Sequence, residues 1–216
     1  MNYTIINAIY SFVAFAFAIS FHEWAHAFAA YRLGDPTARN AGRMTLNPFK
    51  HIDLFGTLML LVFGFGWAKP VPVNPRNYKN LIRDDTIVSL AGVLVNMLLA
   101  FVFMPLSLYL VQISLEQQSI VLSVLAAMVD YFVFINITLA IFNLIPVPPL
   151  DGSHVLEDLL IRKVGPKPFI WMRNNSRYLL IGVLIILRIT GVLSLVTNSV
   201  YEGIASLYMP LLETIL

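Results

Sequence analysis

Residues 4–31, TIINAIYSFVAFAFAISFHEWAHAFAAY, form an apolar run long enough to cross a lipid bilayer as one helix. About 20 consecutive apolar residues suffice for one crossing. Three further runs of this kind cover residues 86–111, 119–146 and 178–200. The sequence therefore predicts an all-α polytopic membrane protein with about four long transmembrane helices, formed by residues 1–216 as a single transmembrane domain.

The composition agrees with a lipid environment. Hydrophobic residues make up 58% of the 216 residues, charged residues only 12%, and the mean hydropathy is +0.77. A soluble domain carries about 25% charged residues, so this chain has too few to cover a water-facing surface. The net charge of +2 does not indicate nucleic acid as a partner. Because there is no cysteine, any bound metal must be held by His, Asp or Glu.

Two shorter segments follow the first apolar run. Residues 54–67 are apolar, but this run is shorter than the length needed for one crossing of the bilayer. The three glycines within it favour a re-entrant hairpin or a short tilted helix. Residues 68–75, AKPVPVNP, have prolines that exclude a helix, so they predict a small extended or β element at the inner membrane face. The apolar tail, residues 201–216, is predicted to be an interfacial helix.

The positions of the basic residues predict the orientation. If Met1 lies outside and each long run crosses once, residues 32–85 and 151–177 lie inside. These two segments hold 8 and 5, or 13 of the 14 Lys and Arg residues. The outer loop, residues 112–118, has none. Since basic residues collect on the cytoplasmic side, this assignment of sides is favoured.

His22, Glu23 and His26 lie within the first predicted span, in the segment FHEWAH. Positions i and i+4 of a helix share a face, so both imidazoles can bind one metal ion while the adjacent carboxylate activates a water. Ionisable residues inside a membrane are costly and by default functional. A pair of buried, hydrogen-bonded histidines is the structural alternative, but it leaves the charge of Glu23 unexplained.

A catalytic zinc site needs three protein ligands and one open position. The candidates for the third ligand are His51, His154 and several acids. The segment NLIPVPPLDG, residues 143–152, stands out because its prolines break the third predicted span and leave Asp151 on irregular backbone at membrane depth. Taken alone, the end of this segment is more typical of a plain surface turn. Because two potential ligands lie on the same side of the membrane, Asp151 is favoured as a third.

HEWAH in a membrane helix, followed by NLIPVPPLDG, resembles the site-2 protease family of intramembrane zinc metalloproteases. LNPFKHIDLFGTL, WAKPVPVNP and SLAGVLVNMLLAF also resemble segments of its compact bacterial and archaeal members, which lack a PDZ or CBS domain. The resemblance implies one Zn²⁺ per chain, held by His22, His26 and Asp151, with Glu23 as the catalytic base. It further implies that Asn143 lies near the substrate, where it would polarise the scissile carbonyl.

Several other polar residues are candidates for supporting roles. His51, His154 and Asn74 are candidates for residues that form hydrogen bonds around the site without binding the metal. Asn96 and Asn136 lie inside predicted spans and are expected to join helices by hydrogen bonds.

Asp130 and Arg188 both fall near the predicted bilayer midplane, where a lone charge is costly. We expect them to form an ion pair. The alternative is that the Arg188 side chain reaches towards the membrane surface from its own span.

The predicted function is hydrolysis of peptide bonds within or near the transmembrane segments of membrane proteins, in a prokaryotic cell membrane and near its cytoplasmic face. The substrate helix must unwind first, and the extended residues 71–74 are expected to hold the unwound strand by backbone pairing. The alternative function is a zinc-binding membrane protein without proteolysis, which would not need Glu23. A secondary transporter would show repeated halves, and the sequence has none.

Overall fold

The computed structural model describes residues 5–63 and 66–213. Thr4, Gly64 and the last three residues of the predicted tail lie outside this range. Within it the chain is helical apart from connecting segments and two short 3₁₀ turns, Pro48–Lys50 and Pro75–Asn77. The helices are α1 Ile5–Arg32, α2 Thr37–Asn40, α3 Leu54–Phe63, α4 Leu81–Gln117, α5 Ile120–Asn143, α6 Asp151–Val164, α7 Lys167–Asn174, α8 Ser176–Thr190 and α9 Val192–Glu213.

Helices α1, α4 and α5 are long and apolar enough to cross a membrane, and they pack against one another. Only Gln118 and Ser119 connect α4 to α5, so these two helices form an antiparallel hairpin. Gln118 adopts a left-handed conformation with φ of 48°, and Ser119 caps α5. The core between α4, α5 and α9 is built from Ala100, Met104, Val133, Ile137 and Ile204.

The fourth predicted span, residues 178–200, is interrupted in the structure. It is divided between α8 and α9, which meet at an angle of 68°. Gly191 ends α8 with a φ of 65°, a left-handed conformation that glycine adopts without a steric penalty. The prediction of one continuous helix was therefore wrong at this glycine, although the pair together has the length and hydropathy of one broken span.

The predicted tail is helical, but it is not a separate helix. Residues 201–213 continue α9 instead of forming a separate interfacial helix. Ile204 is 4% exposed and belongs to the core shared with α4 and α5, and Tyr201 packs against this core. One side of the tail thus contacts other helices of the protein, whereas Leu207, Met209 and Leu211 remain exposed.

The short apolar segment turns back on itself. Helix α3 has only ten residues, about half the length needed to cross the hydrocarbon core. Its flanks meet, because Ile52 pairs with Ala68 and the Lys69 N–H donates to the His51 carbonyl over 2.7 Å. A Cβ atom on Gly56 would lie 2.1 Å from the Trp67 carbonyl oxygen, so this close return requires glycine. The sequence analysis favoured a re-entrant hairpin or a short tilted helix, and the structure has a short helix whose flanks meet.

The predicted small β element is not supported. The described residues contain one isolated bridge, between Ile52 and Ala68, and no strand. Residues 69–74 are extended, but the prolines among them provide no N–H group for a ladder. The Asn74 N–H donates to Asp35 over 2.7 Å, and Arg43 donates to the Lys69 carbonyl over 2.6 Å. Side chains therefore hold this segment in place of a neighbouring strand.

The predicted ion pair of Asp130 with Arg188 was wrong. Asp130 accepts hydrogen bonds from the Ser107 hydroxyl, at 3.0 Å, and from the Tyr201 hydroxyl. Arg188 is exposed on α8. The bend between α8 and α9 explains the change of partner, because it brings α9, and not α8, against α4 and α5.

Candidate metal centre

His22 and His26 are buried on α1, one helical turn apart. Their side chains point in the same direction, as expected for positions i and i+4. The two Nε2 atoms are 2.9 Å apart. Two imidazole nitrogens at this separation can bind a common ion.

Asp151 completes the group. Helix α5 ends at Asn143, the proline-containing segment reverses the chain, and Asp151 is the first residue of α6. Its Oδ2 atom is 3.2 Å from His22 Nε2 and 3.4 Å from His26 Nε2. Gly152 makes this turn possible, because a Cβ atom there would lie 2.3 Å from the Leu144 carbonyl oxygen. Among the described residues these three side chains form the one group that could hold a metal ion.

The protonation of His26 follows from its hydrogen-bond partner. Its Nδ1 atom is 2.7 Å from the carbonyl oxygen of Val88 on α4. A carbonyl can only accept a hydrogen bond, so Nδ1 must carry the proton. In the neutral ring, Nε2 then presents its lone pair towards Asp151 and His22.

A chain of amides determines the protonation of His22 in the same way. The Asn136 side-chain N–H₂ donates to the Phe132 carbonyl over 2.8 Å, so its oxygen faces Asn96 and accepts over 2.7 Å. The Asn96 N–H₂ also donates to the Ala18 carbonyl over 3.3 Å. The remaining Asn96 oxygen accepts from His22 Nδ1 over 2.5 Å. Both histidines therefore have the Nδ1–H tautomer.

These assignments show that the site suits a cation. Two Nε2 lone pairs and the Asp151 carboxylate converge, and they repel one another unless a positive charge lies between them. Asp151 Oδ2 is buried without a hydrogen-bond donor. Ligands about 2 Å from a tetrahedral zinc ion would be roughly 3.3 Å apart. The two distances that involve Asp151, 3.2 and 3.4 Å, agree with this geometry.

Gly92 of α4 forms the wall of the site. A Cβ atom on this residue would lie 2.6 Å from His22 Cε1 and 2.6 Å from His26 Nε2. Asn96 is one turn further along α4, so Gly92 and Asn96 share a face. Helix α4 therefore gives the imidazoles both space and a hydrogen-bond acceptor.

Glu23 is buried beside the two histidines, and the extended segment holds its carboxylate. The backbone N–H of Val71 donates to Glu23 Oε2 over 2.7 Å. One carboxylate oxygen is thus oriented by the protein. This contact connects residues that are 48 positions apart and gives the extended segment a role that the sequence did not predict.

The other predicted site residues have different surroundings. Asn143 ends α5, where its N–H₂ donates to the Leu139 carbonyl over 3.0 Å. His51 Nε2 is 2.8 Å from the Thr45 carbonyl, within the segment before α3. Among the residues that the structure describes, neither Asn143 nor His51 contacts the three candidate ligands through a hydrogen bond.

His154 and Asn74 are likewise held by other groups. The His154 ring contacts Asp85 over 3.2 Å, and this hydrogen bond raises the pKa of His154. The Asn74 side chain accepts from the Arg76 N–H over 3.2 Å and caps the second 3₁₀ turn. Both residues stabilise the surroundings of the site without direct contact to the candidate ligands.

The sequence analysis did not predict that Asn96 orients one of the candidate metal ligands. It was expected to join helices, which it does through Ala18 and Asn136, but it also orients His22. The spacing of Gly92 and Asn96 in AGVLVN contains a signal, since a small residue and an amide share one helix face. The roles of the Val88 carbonyl and the Val71 N–H have no signal in the sequence, because every residue except proline carries both groups.

The chain is similar to a peptidase family and to several proteins named as putative zinc metalloproteases. The model of peptidase family M50 matches residues 10–187. "Putative zinc metalloprotease YwhC" of Bacillus subtilis is 42% identical over 160 residues, which cover 74% of this chain and 70% of that protein. "Putative zinc metalloprotease MJ0611" of Methanocaldococcus jannaschii is 32% identical over 173 residues, with 79% and 76% covered.

"Putative zinc metalloprotease Rip2" of Mycobacterium tuberculosis is 33% identical over 144 residues, which cover 65% of this chain. The match spans about half of the length of Rip2, 53%. No solved structure matches the chain significantly. The family model covers most of the chain and includes the three residues that could hold the ion. This multi-pass membrane protein therefore belongs to peptidase family M50, a zinc metalloprotease family.

Proposed function

We propose that this protein is an intramembrane zinc metalloprotease that cleaves peptide bonds within or near transmembrane segments of other membrane proteins. One observation carries the proposal: Glu23 lies beside a two-histidine, one-aspartate centre on a helix of membrane-spanning length. A soluble protease would not place this centre there. The proposed catalytic domain comprises residues 1–216.

His22, His26 and Asp151 are the proposed zinc ligands. Three protein ligands leave one coordination position open, as in other catalytic zinc sites. When bound, zinc supplies Lewis acidity and lowers the pKa of a coordinated water. Asn96 and the Val88 carbonyl set the orientation of the two rings, which would keep both Nε2 lone pairs available to a bound ion.

Glu23 is the proposed general base. The Val71 N–H holds Oε2, so the other carboxylate oxygen is the one available to accept a proton from water. The same oxygen then passes the proton to the leaving amine. Because Glu23 is 8% exposed, bulk water has little access to the carboxylate during these transfers.

Substrate binding requires local unwinding, because a transmembrane helix satisfies its peptide groups internally. Asn143, at the end of α5, is proposed to contact the unwound segment and polarise its carbonyl. The structure restricts the proposed strand pairing by residues 71–74, since the N–H groups of Val71 and Asn74 already bind carboxylates. Of the backbone N–H groups in this segment, only that of Val73 lacks a described partner.

The distribution of basic residues supports a location of the centre near the cytoplasmic face of a prokaryotic cell membrane. His22 precedes Arg32, the end of α1, by ten residues, or about 15 Å along the helix. Arg32 begins the first of the two segments that hold nearly all basic residues. The positive-inside rule therefore favours this side for the active site.

Mutation separates the proposed roles. Glu23→Gln keeps the size of the side chain but removes the base, so we expect full zinc content and loss of cleavage. Asp151→Ala removes a ligand, so zinc content and cleavage should both fall sharply. Zinc would be measured in the purified protein by elemental analysis, and cleavage with a single-span membrane substrate in detergent.

The same pair of variants tests the alternative function. Cleavage by Glu23→Gln at the wild-type rate would exclude the proposed mechanism. Absence of cleavage by the wild type across a library of single-span proteins, with zinc fully bound, would favour a zinc-binding membrane protein without proteolysis. Full zinc content in Asp151→Ala would show that another residue is the third ligand.

A further inference from the structure

The end of α6, the whole of α7 and α8, and the start of α9 form a stretch of one charge sign. Residues 159–201 include six basic residues and no acidic residue. Arg173 pairs with Glu157, which lies earlier on α6, over 2.6 Å. The other five basic side chains of this stretch are exposed and form no ion pair with any residue in the described parts of the chain. One of them, Arg188, lies near the end of α8. The remaining four, here called the basic corner, are Arg162, Lys163, Lys167 and Arg177.

The helix dipole explains the positions of only two of the four residues in the basic corner. Arg162 and Lys163 lie in the last turn of α6, where a helix dipole favours positive charge. Lys167 is the first residue of α7, and Arg177 is the second residue of α8. Positive charge at a helix N-terminus is unfavourable. An external anion would offset the repulsion between each basic side chain and the positive end of its helix dipole, and the anion would be attracted to the N-termini of α7 and α8.

Two of the helices that carry the basic corner, α7 and α8, also expose large apolar side chains. On α7, Lys167, Ile170 and Trp171 share one face at positions i, i+3 and i+4, with Ile170 46% and Trp171 60% exposed. The opposite side of α7 is anchored by Phe169, which is 5% exposed. Tyr178 at the start of α8 is 78% exposed. Trp and Tyr side chains in this combination with basic residues are typical of the membrane–water interface.

The chain itself places the basic corner at that interface. Arg177 and Tyr178 directly precede the apolar part of α8, residues 179–187, which belongs to the broken span. We propose that the basic corner binds the phosphate groups of anionic phospholipids, while Ile170 and Trp171 enter the headgroup region beside them. The surface thereby attaches the α6–α7 connection to the membrane and discriminates between charged and zwitterionic lipids.

Lipid binding to the full-length protein tests the proposal. Native mass spectrometry would measure the affinity of the detergent-purified chain for phosphatidylglycerol and for phosphatidylcholine with the same acyl chains. Each basic residue near an anionic surface contributes about fivefold in affinity. The variant Lys163→Gln/Lys167→Gln/Arg177→Gln should bind phosphatidylglycerol at least ~10-fold more weakly, with no change for phosphatidylcholine.

A matched control removes three exposed basic residues from other inner segments: Lys50→Gln/Arg76→Gln/Lys79→Gln. This control, and the charge-preserving Lys163→Arg/Lys167→Arg, should bind phosphatidylglycerol as the wild type does. An equal loss in the control would show that only total charge matters and would overturn the proposal. Absence of a preference for phosphatidylglycerol in the wild type would also overturn it and would favour an acidic soluble partner.

A second measurement does not depend on the folding of the triple variant. The fluorescence contributed by Trp171, taken as the difference between wild type and Trp171→Phe, should be quenched more strongly by brominated phosphatidylglycerol than by brominated phosphatidylcholine. Equal quenching by the two lipids would contradict selective binding at this surface.

Discussion

At the scale of single residues, Gly92 keeps the metal centre open. A methyl group at this position would lie 2.6 Å from both imidazoles, closer than Cβ atoms approach other atoms in proteins. The imidazoles are buried between α1 and α4 and cannot move away without breaking their Nδ1 hydrogen bonds. A single added carbon atom would therefore displace the imidazole rings from their positions as ligands.

We predict that Gly92→Ala lowers zinc content by at least ~10-fold at limiting zinc, because displaced ligands reduce metal affinity. The control is Gly182→Ala on α8, where nothing lies within 4 Å of the new Cβ atom. Zinc content would be measured after dialysis against a competing chelator. Equal zinc retention by the two variants would show that an added methyl group at position 92 does not displace the histidine ligands.

Asn96 acts on the same ligands through hydrogen bonding. Asn96→Leu preserves the size of the side chain but removes the acceptor of His22 Nδ1, so the Nδ1–H tautomer is no longer favoured. We predict a loss of zinc affinity of about 10–100-fold. Thr138→Val, which removes a local hydrogen bond to Phe134 within α5, is the control. Chelator competition on both purified variants measures the effect, and equal affinities would exclude a role for Asn96.

At the scale of helices, the break between α8 and α9 determines which polar residues meet inside the bundle. Asp130 of α5 binds Tyr201 of α9 and Ser107 of α4, so one carboxylate joins three helices. The side chain of Tyr201 also packs on Phe134, with ring centroids 6.4 Å apart. This contact attaches α9 to the pair formed by α4 and α5.

We predict that Tyr201→Phe lowers the free energy of unfolding by about 1 kcal/mol, since it removes one hydrogen bond to a carboxyl group inside the bundle. Arg188→Gln, which changes an exposed side chain on α8, should leave the free energy of unfolding within about 0.5 kcal/mol of wild type. Reversible unfolding in mixed micelles measures both values. If Arg188→Gln lowered the free energy of unfolding more than Tyr201→Phe did, the ion pair of Arg188 with Asp130 would be supported after all.

At the scale of the whole molecule, the orientation in the membrane is open to a direct test. The chain contains no cysteine, so each introduced cysteine is a unique label. Gln117→Cys, at the connection of α4 and α5, should react with an impermeant thiol reagent added to intact cells. Lys79→Cys and Lys167→Cys should react only after the membrane is opened, because the positive-inside rule places them in the cytoplasm. Labelling of Lys79→Cys from outside would reverse the proposed topology.

The sequence by itself determined the helical membrane architecture and the three residues that converge. Long apolar runs predict spans because hydrocarbon requires about 20 residues per crossing, and α1, α4 and α5 follow those runs. His22 and His26 meet because four residues make about one helical turn. For the third ligand, the proline-broken span favoured Asp151 over His51 and His154, and the resemblance to the site-2 protease family singled it out.

Only the tertiary structure decided how these residues are supported. The Val88 carbonyl, the Asn96 amide and the Val71 N–H reach the site from other segments, and spacing along the chain does not report contacts of this kind. The partner of Asp130 depended on the angle at Gly191, a single left-handed residue that redirects a whole helix. Local composition and periodicity predict which elements form, whereas the relative positions of the elements decide which polar groups bind one another.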